Sequence, residues 1–210
     1  MGVLSEKKAI IFDLGNVLFR FDPAIMTAAV ISDPEDAALV APVAFDRLYW
    51  NRLDDGSITD EEVIAGICSR LPQRLHAQAE QVYRQWYAHM PCVPGMRELL
   101  HELKREGKSL YLLSNISIGF EQGYHAVPII TSTLSVFDGC VFSGSLGMVK
   151  PQKQIFEHLL TKFGLLPEDC VFIDDSEINI AGAAAAGIDG ILFTGNATAV
   201  KDALHDRSAT

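Results

Sequence analysis

The chain has 210 residues, 49% hydrophobic and 21% charged, with a formal net charge of −10. That is enough apolar material for one large core plus a smaller module, and it excludes intrinsic disorder. The negative charge argues against non-specific binding to nucleic acid or to anionic membranes, so an anionic substrate has to be met by local positive charge or by a metal. The first eight residues are polar and the apolar run after them is interrupted by Asp13, so neither a signal-peptide core nor a membrane span is expected and the protein is expected in the cytoplasm. Cys68, Cys92, Cys140 and Cys170 form no Cys-x-x-Cys pair and are expected as reduced, buried thiols. The histidines show no pairing that suggests a metal site.

Ala9-Ile10-Ile11-Phe12 is a short apolar run that ends in Asp13 and a Gly15-Asn16 turn, which predicts a covered strand delivering a carboxylate to its own end. A helix capped by the aspartate is the competing assignment. From Arg20 to Pro91 the signals turn helical. Pro23 and Pro34 stand at first helical turns, the second after a capping Asp33; Thr59 and Glu62 form a capping box ahead of a helix to about Arg70; and an amphipathic helix is predicted over about Leu75 to His89. Asp55-Gly56 reads as a turn between helices of this segment.

Beyond Gly95, alternation of strands and helices predicts right-handed crossovers and a parallel sheet. The predicted strands are Leu110–Leu113, a run from Gly139 into Ser143-Gly144, Cys170–Ile173 and Gly190–Phe193, and the predicted helices cover Met96–Arg105, Gln152–Phe163 and Ile180–Ala186. The stretch between the second and third strands looks irregular. Gly182 and Gly187 flank a run of alanines without a dinucleotide-binding fingerprint, so close helix packing is expected there. The fold expected is α/β, a Rossmann-like parallel sheet with helices on both faces, built from residues 1–19 and 92–210, with a helical cap over residues 20–91.

Three of these strands end in polar residues: Asp13, Ser114-Asn115 and Asp174-Asp175, all on one edge of a parallel sheet. Carboxylates from two strand ends suit a hard cation such as Mg²⁺, and a divalent ion removes the mutual repulsion that raises the pKa values of neighbouring acids. Asp13 is placed to attack phosphorus, while Lys150 supplies positive charge and Ser114 and Asn115 supply neutral donors to phosphoryl oxygens.

The segments Phe12-Asp13-Leu14-Gly15-Asn16, Leu113-Ser114-Asn115, Lys150-Pro151 and Phe172-Ile173-Asp174-Asp175-Ser176 with Asn179 occur in the order and strand context that resemble the haloacid dehalogenase superfamily, among its capped phosphatases. The resemblance implies a Mg²⁺-dependent phosphatase acting on a small phosphorylated metabolite, such as a sugar phosphate, through an aspartyl-phosphate on Asp13. It implies phosphate binding by Ser114, Asn115 and Lys150. It also implies a metal site from Asp13, the Gly15 carbonyl and Asp175, with Asp174 binding the metal or orienting its water. One position departs from the pattern: Gly15 stands where most such phosphatases carry a second aspartate, the general acid and base. General acid–base help is worth roughly 10²- to 10⁴-fold, so slower turnover is expected, and Asp22 is a nearby substitute to examine.

In the cap, Arg20, Arg47, Trp50 and Arg52 are candidates to reach a substrate, although aromatics at helical spacing more often form core. Two other functions compete. One is metal-free dehalogenation by attack of the aspartate on carbon; the other is a degraded hydrolase that binds a phosphometabolite or a protein. The expected partner is a small-molecule phosphate ester, with no nucleic acid and no membrane, for a monomer or homodimer.

Overall fold

The computed structural model describes residues 4–206. Five strands, β1 (Ala9–Phe12), β2 (Ser109–Ser114), β3 (Gly139–Phe142), β4 (Cys170–Asp174) and β5 (Asp189–Leu192), form one parallel sheet in the order β3-β2-β1-β4-β5. The three central strands read as nearly unbroken apolar runs because both their faces are covered. Ile10, Phe12, Leu110, Leu112, Val171 and Ile173 pack into one core cluster. Their chain neighbours Ala9, Ile11, Tyr111, Leu113, Cys170 and Phe172 pack into the other. This is the two-residue strand period expressed as a three-layer molecule.

Between β1 and the next core helix the chain contributes α1 (Pro23–Ala28), α2 (Pro34–Ala44), α3 (Arg47–Asp54), α4 (Asp60–Ser69) and α5 (His76–Gln85), with short 3₁₀ turns at Gln73–Leu75 and Trp86–His89. Their starts follow the local signals: Asp22 and Asp33 cap α1 and α2 ahead of proline, and Thr59 and Glu62 close the reciprocal capping box of α4. The insertion leaves and rejoins the sheet through a paired stem, in which the Arg20 amide donates to the Pro91 carbonyl at 2.7 Å and the Val93 amide to the Leu18 carbonyl at 2.9 Å.

The remaining helices are α6 (Met96–Arg105), α7 (Ile118–Gly123), α8 (Pro128–Leu134), α9 (Lys153–Phe163), α10 (Glu177–Ala185) and α11 (Ala197–His205). Helix α6 joins the insertion's side of the sheet through Met96, Leu99, Leu100 and Leu103, whereas α9 packs Ile155, Phe156 and Leu159 on the opposite face. The segment expected to be irregular holds α7 and α8, each too short to display a helical period; Ser117 caps the first, and burial of Phe120, Ile130 and Leu134 secures them. Helix α10 begins earlier than its apolar run implied, at Glu177. Among the described residues no helix is long and apolar enough to cross a membrane. The four cysteines are free thiols, and burial pushes Cys140 up to about 11 and Cys170 up to about 12.

Candidate active site

The strand order reverses between β1 and β4, and in such sheets the crevice beyond the carboxyl ends at the reversal is where ligands bind. Asp13 follows β1 there, its amide still donating to the Ile173 carbonyl of β4 at 2.9 Å. Its carboxyl is buried, and Oδ1 accepts from the Leu14 amide at 2.7 Å and from Lys150 Nζ at 2.8 Å. The chain then turns through Gly15 and through Asn16 at φ 55°, a left-handed conformation that asparagine tolerates better than most residues. Asn16 is more than a turn former. Its Oδ1 accepts from the Phe21 amide at 3.0 Å and its Nδ2 donates to Asp175 Oδ2 at 3.0 Å, so it ties the first strand end to the fourth.

Lys150 is the hub. Its side chain is 1% exposed, and the ammonium lies 2.8 Å from Asp13 Oδ1 and 2.7 Å from Asp174 Oδ2. Burial works against its charge, but the two carboxylates outweigh that and hold the ammonium above the ordinary lysine value. For Asp13, burial dominates and pushes the acid up to about 6, with Asp174 adding to the rise and Lys150 opposing it. The backbone of Lys150 is itself held by the Asn115 side chain, which accepts from the Lys150 amide at 2.8 Å and donates to the Lys150 carbonyl at 2.9 Å. Asn115 therefore positions Lys150 as well as bordering the cavity. Among the described residues the buried Ser114 hydroxyl makes only a long contact of 3.5 Å, to the Asn115 carbonyl.

Asp174 and Asp175, adjacent in sequence, have different surroundings. Asp174 is fully buried with both oxygens engaged: Ser176 N and Asn179 Nδ2 reach Oδ1, and Lys150 Nζ and Asn179 Nδ2 reach Oδ2. Asp175 is exposed and keeps lone pairs free beyond its contact with Asn16. Oxygens of Asp13, Asp174 and Asp175 lie within 4.8 Å of one another, a set of hard donors that fits Mg²⁺.

Asp13, Gly15, Ser114, Asn115, Lys150 and Asp175 line one cavity of about 690 Å³, in the size range of small-molecule sites. The insertion roofs it with Phe21, Phe45, Trp50, Trp86 and Met90 and edges it with Arg47, Asn51 and Asp54. Of the cap candidates, Arg47 and Trp50 border the cavity, whereas Arg20 pairs with Asp22 at 3.5 Å and Arg52 donates to the Ser57 carbonyl at 3.2 Å. Asp22 is occupied as the cap of α1, accepting from Ile25 N at 3.1 Å. Two residues that sequence patterns underplayed are Asn16, whose one signal was a Gly-Asn turn, and Asp54, which had none because its partners come from distant elements. Burial, then the charge of Asp13, pushes Asp54 up to about 7 against the opposing pull of Lys150.

Comparison with known proteins agrees with this architecture. Residues 7–187 match the family described as "Hydrolase: haloacid dehalogenase-like hydrolase". A relative described as sesquiterpene phosphatase astK of Aspergillus oryzae is 27% identical, the alignment covering 89% of this chain and 90% of that protein. A phosphoglycolate phosphatase of Mannheimia succiniciproducens is 26% identical over 90% of this chain and 87% of its own. Among solved structures, an enzyme of this family from Bacteroides thetaiotaomicron in complex with magnesium superposes with a TM-score of 0.67 at 24% identity, over 91% of this chain and 95% of that one, a likeness of fold. With its parallel sheet, its acid-tipped strands and a family match across most of its length, the chain belongs to the haloacid dehalogenase-like hydrolases and is an enzyme.

Proposed function

We propose that this hydrolase is a Mg²⁺-dependent phosphatase that hydrolyses a small phosphate monoester through an aspartyl-phosphate on Asp13, with residues 20–91 acting as the cap over the site. The observation that carries this is Lys150 Nζ bridging Asp13 and Asp174 at the floor of a cavity that also holds Asp175 and Ser114. Both donors to Asp13 reach Oδ1, which leaves Oδ2 without a protein donor among the described residues and free to attack phosphorus. Asp13, the Gly15 carbonyl and Asp175 would hold the metal, whose charge offsets that of the phosphate and keeps Asp13 ionised despite its burial. Asp174 stays behind them, orienting Lys150. Ser114 and Lys150 hold the phosphoryl oxygens as charge builds on them, and Asn115 keeps Lys150 aimed.

The cap favours an alcohol with an apolar face over a fully hydroxylated sugar. Phe21, Phe45, Trp50 and Trp86 meet in edge-on and stacked contacts with ring centroids 4.9–5.8 Å apart. Trp50 Nε1 is already spent on the Ala44 carbonyl at 3.1 Å, so its ring offers little polarity to a ligand. The sesquiterpene phosphatase relative, similar over nearly its whole length, is in keeping with this preference.

The test is hydrolysis of p-nitrophenyl phosphate, prenyl phosphates and sugar phosphates by wild type and Asp13→Asn, each with Mg²⁺ and with chelator. Turnover that requires both Mg²⁺ and Asp13, fastest on the apolar esters, is the expected result. Metal-independent activity, or none on any phosphate ester, overturns the proposal.

A further inference from the structure

Expelling an alcohol from phosphorus requires a proton for the departing oxygen, and Gly15 brings none to the cavity. On the phosphatase reading above, we propose that Asp54, from the helical insertion, is the general acid for the leaving alcohol and the general base for the water that follows.

Four observations lead to Asp54. Its carboxyl, at the end of α3, lines the same cavity as Asp13, Lys150 and Ser114, yet it has no hydrogen-bond partner among the described residues. Its backbone is fastened to the strand ends that bind phosphate: Ser143 Oγ donates to the Asp54 carbonyl at 2.6 Å, and the same oxygen accepts from the Ile116 amide at 2.9 Å. The turn that follows presses Gly56 against the Gly144 backbone so closely that a Cβ there would collide with the Gly144 carbonyl oxygen. This clamp fixes where the carboxyl stands. Finally, the other carboxylates near the cavity are committed, Asp13 to attack, Asp174 to Lys150 and Asn179, Asp175 to Asn16 and the metal, and Asp22 to capping α1.

Burial first, then the surrounding charges of Asp13, Lys150, Asp55 and Arg47, leave the Asp54 carboxyl raised to about 7. An acid in that state serves both steps. As the Asp13 oxygen bonds to phosphorus, the bond from phosphorus to the alcohol oxygen breaks; its electron pair goes to that oxygen, which takes the Asp54 proton. Asp54, now a carboxylate, then accepts a proton from water as the water oxygen attacks the aspartyl-phosphate. The bond from phosphorus to Asp13 breaks, inorganic phosphate leaves, and both carboxyls return to their starting states.

The test compares kcat/KM of the full chain with Mg²⁺ on p-nitrophenyl phosphate, whose leaving group needs no proton, and on an alkyl phosphate, whose leaving group does. Asp54→Asn should lower kcat/KM on the alkyl ester by roughly 10²- to 10⁴-fold, leave p-nitrophenyl phosphate within about tenfold on the same scale, and produce a burst of nitrophenolate as the second step becomes slow. Apart from its two chain neighbours, no described residue lies within 4 Å of where a Cβ on Gly15 would stand. The double variant Gly15→Asp, Asp54→Asn should therefore fold and recover alkyl-ester hydrolysis. Equal losses on both esters without rescue, or no loss at all, overturn the role; melting curves with Mg²⁺ and inorganic phosphate reveal whether equal losses reflect misfolding, in which case the same two-ester comparison on Asp54→Ser decides, a loss confined to the alkyl ester upholding the role and equal losses in a folded variant overturning it. If wild type hydrolyses neither ester, it is the phosphatase reading that fails, and this inference with it.

Discussion

Lys150 stands between two carboxylates, away from water, and its charge is the reason both can be buried at the ends of neighbouring strands. Removing one partner from such a cluster leaves the others as unpaired charges in a poorly solvated place. Lys150→Met should lower stability by about 3–5 kcal/mol and abolish turnover, measured by urea unfolding and by phosphate release. The loss should shrink as pH falls through about 6, where Asp13 takes up a proton, and a variant equally destabilised at every pH would contradict this account of the cluster. At the same scale, the sequence showed the carboxylates, the lysine and the Ser-Asn pair because each follows an apolar strand or precedes a proline. It did not show what Asn115 and Asn16 do, since an amide that holds another residue's backbone looks, in one dimension, like any turn former.

The elements repeat this division. Strands β1, β2 and β4 were legible because burial on both faces demands consecutive apolar residues, and α4 because its capping box is written in four adjacent positions. Helices α3, α7, α8 and α11 were not singled out; α7 and α8 are shorter than the span over which a helical period becomes visible, and all four draw much of their stability from packing. The turn between α3 and α4 shows what that packing fixes. Gly56 has φ 72° and meets the Gly144 backbone, so it tolerates neither a side chain's conformational preference nor its volume. Gly56→Ala should cost about 1–3 kcal/mol and lower activity more than the lost stability explains, because Asp54 is displaced with the turn. Thermal melts alongside kcat/KM on an alkyl phosphate check this; an unchanged melt would mean the contact is not tight.

For the whole molecule, the consequential feature is a half-buried carboxyl held between insertion and sheet. Asp54 has an ordinary value of 3.8 and is raised to about 7 in the fold. Below 3.8 it is protonated in both folded and unfolded chains and imposes no penalty. Between the two values the folded state keeps a proton that the unfolded state has released, so stability falls as pH rises, and the loss is complete above about 7. In chelator, wild type should therefore lose melting temperature relative to Asp54→Asn from about pH 4 to pH 7, the gap levelling off beyond; parallel pH curves for the two proteins would show that Asp54 is not enclosed.

The sequence by itself determined the parallel sheet, the helical insertion after the first strand and the set of acid, lysine and amide residues at the strand ends. These follow from local periodicity, from capping and turn chemistry, and from the rule that residues ending parallel strands share an edge. Only the tertiary structure decided which carboxylate is saturated and which is open, that Asn115 aims Lys150, and that Asp54 and Asp13 line the same cavity. Burial, shared protons and facing charges arise between segments distant along the chain, and no local pattern encodes them.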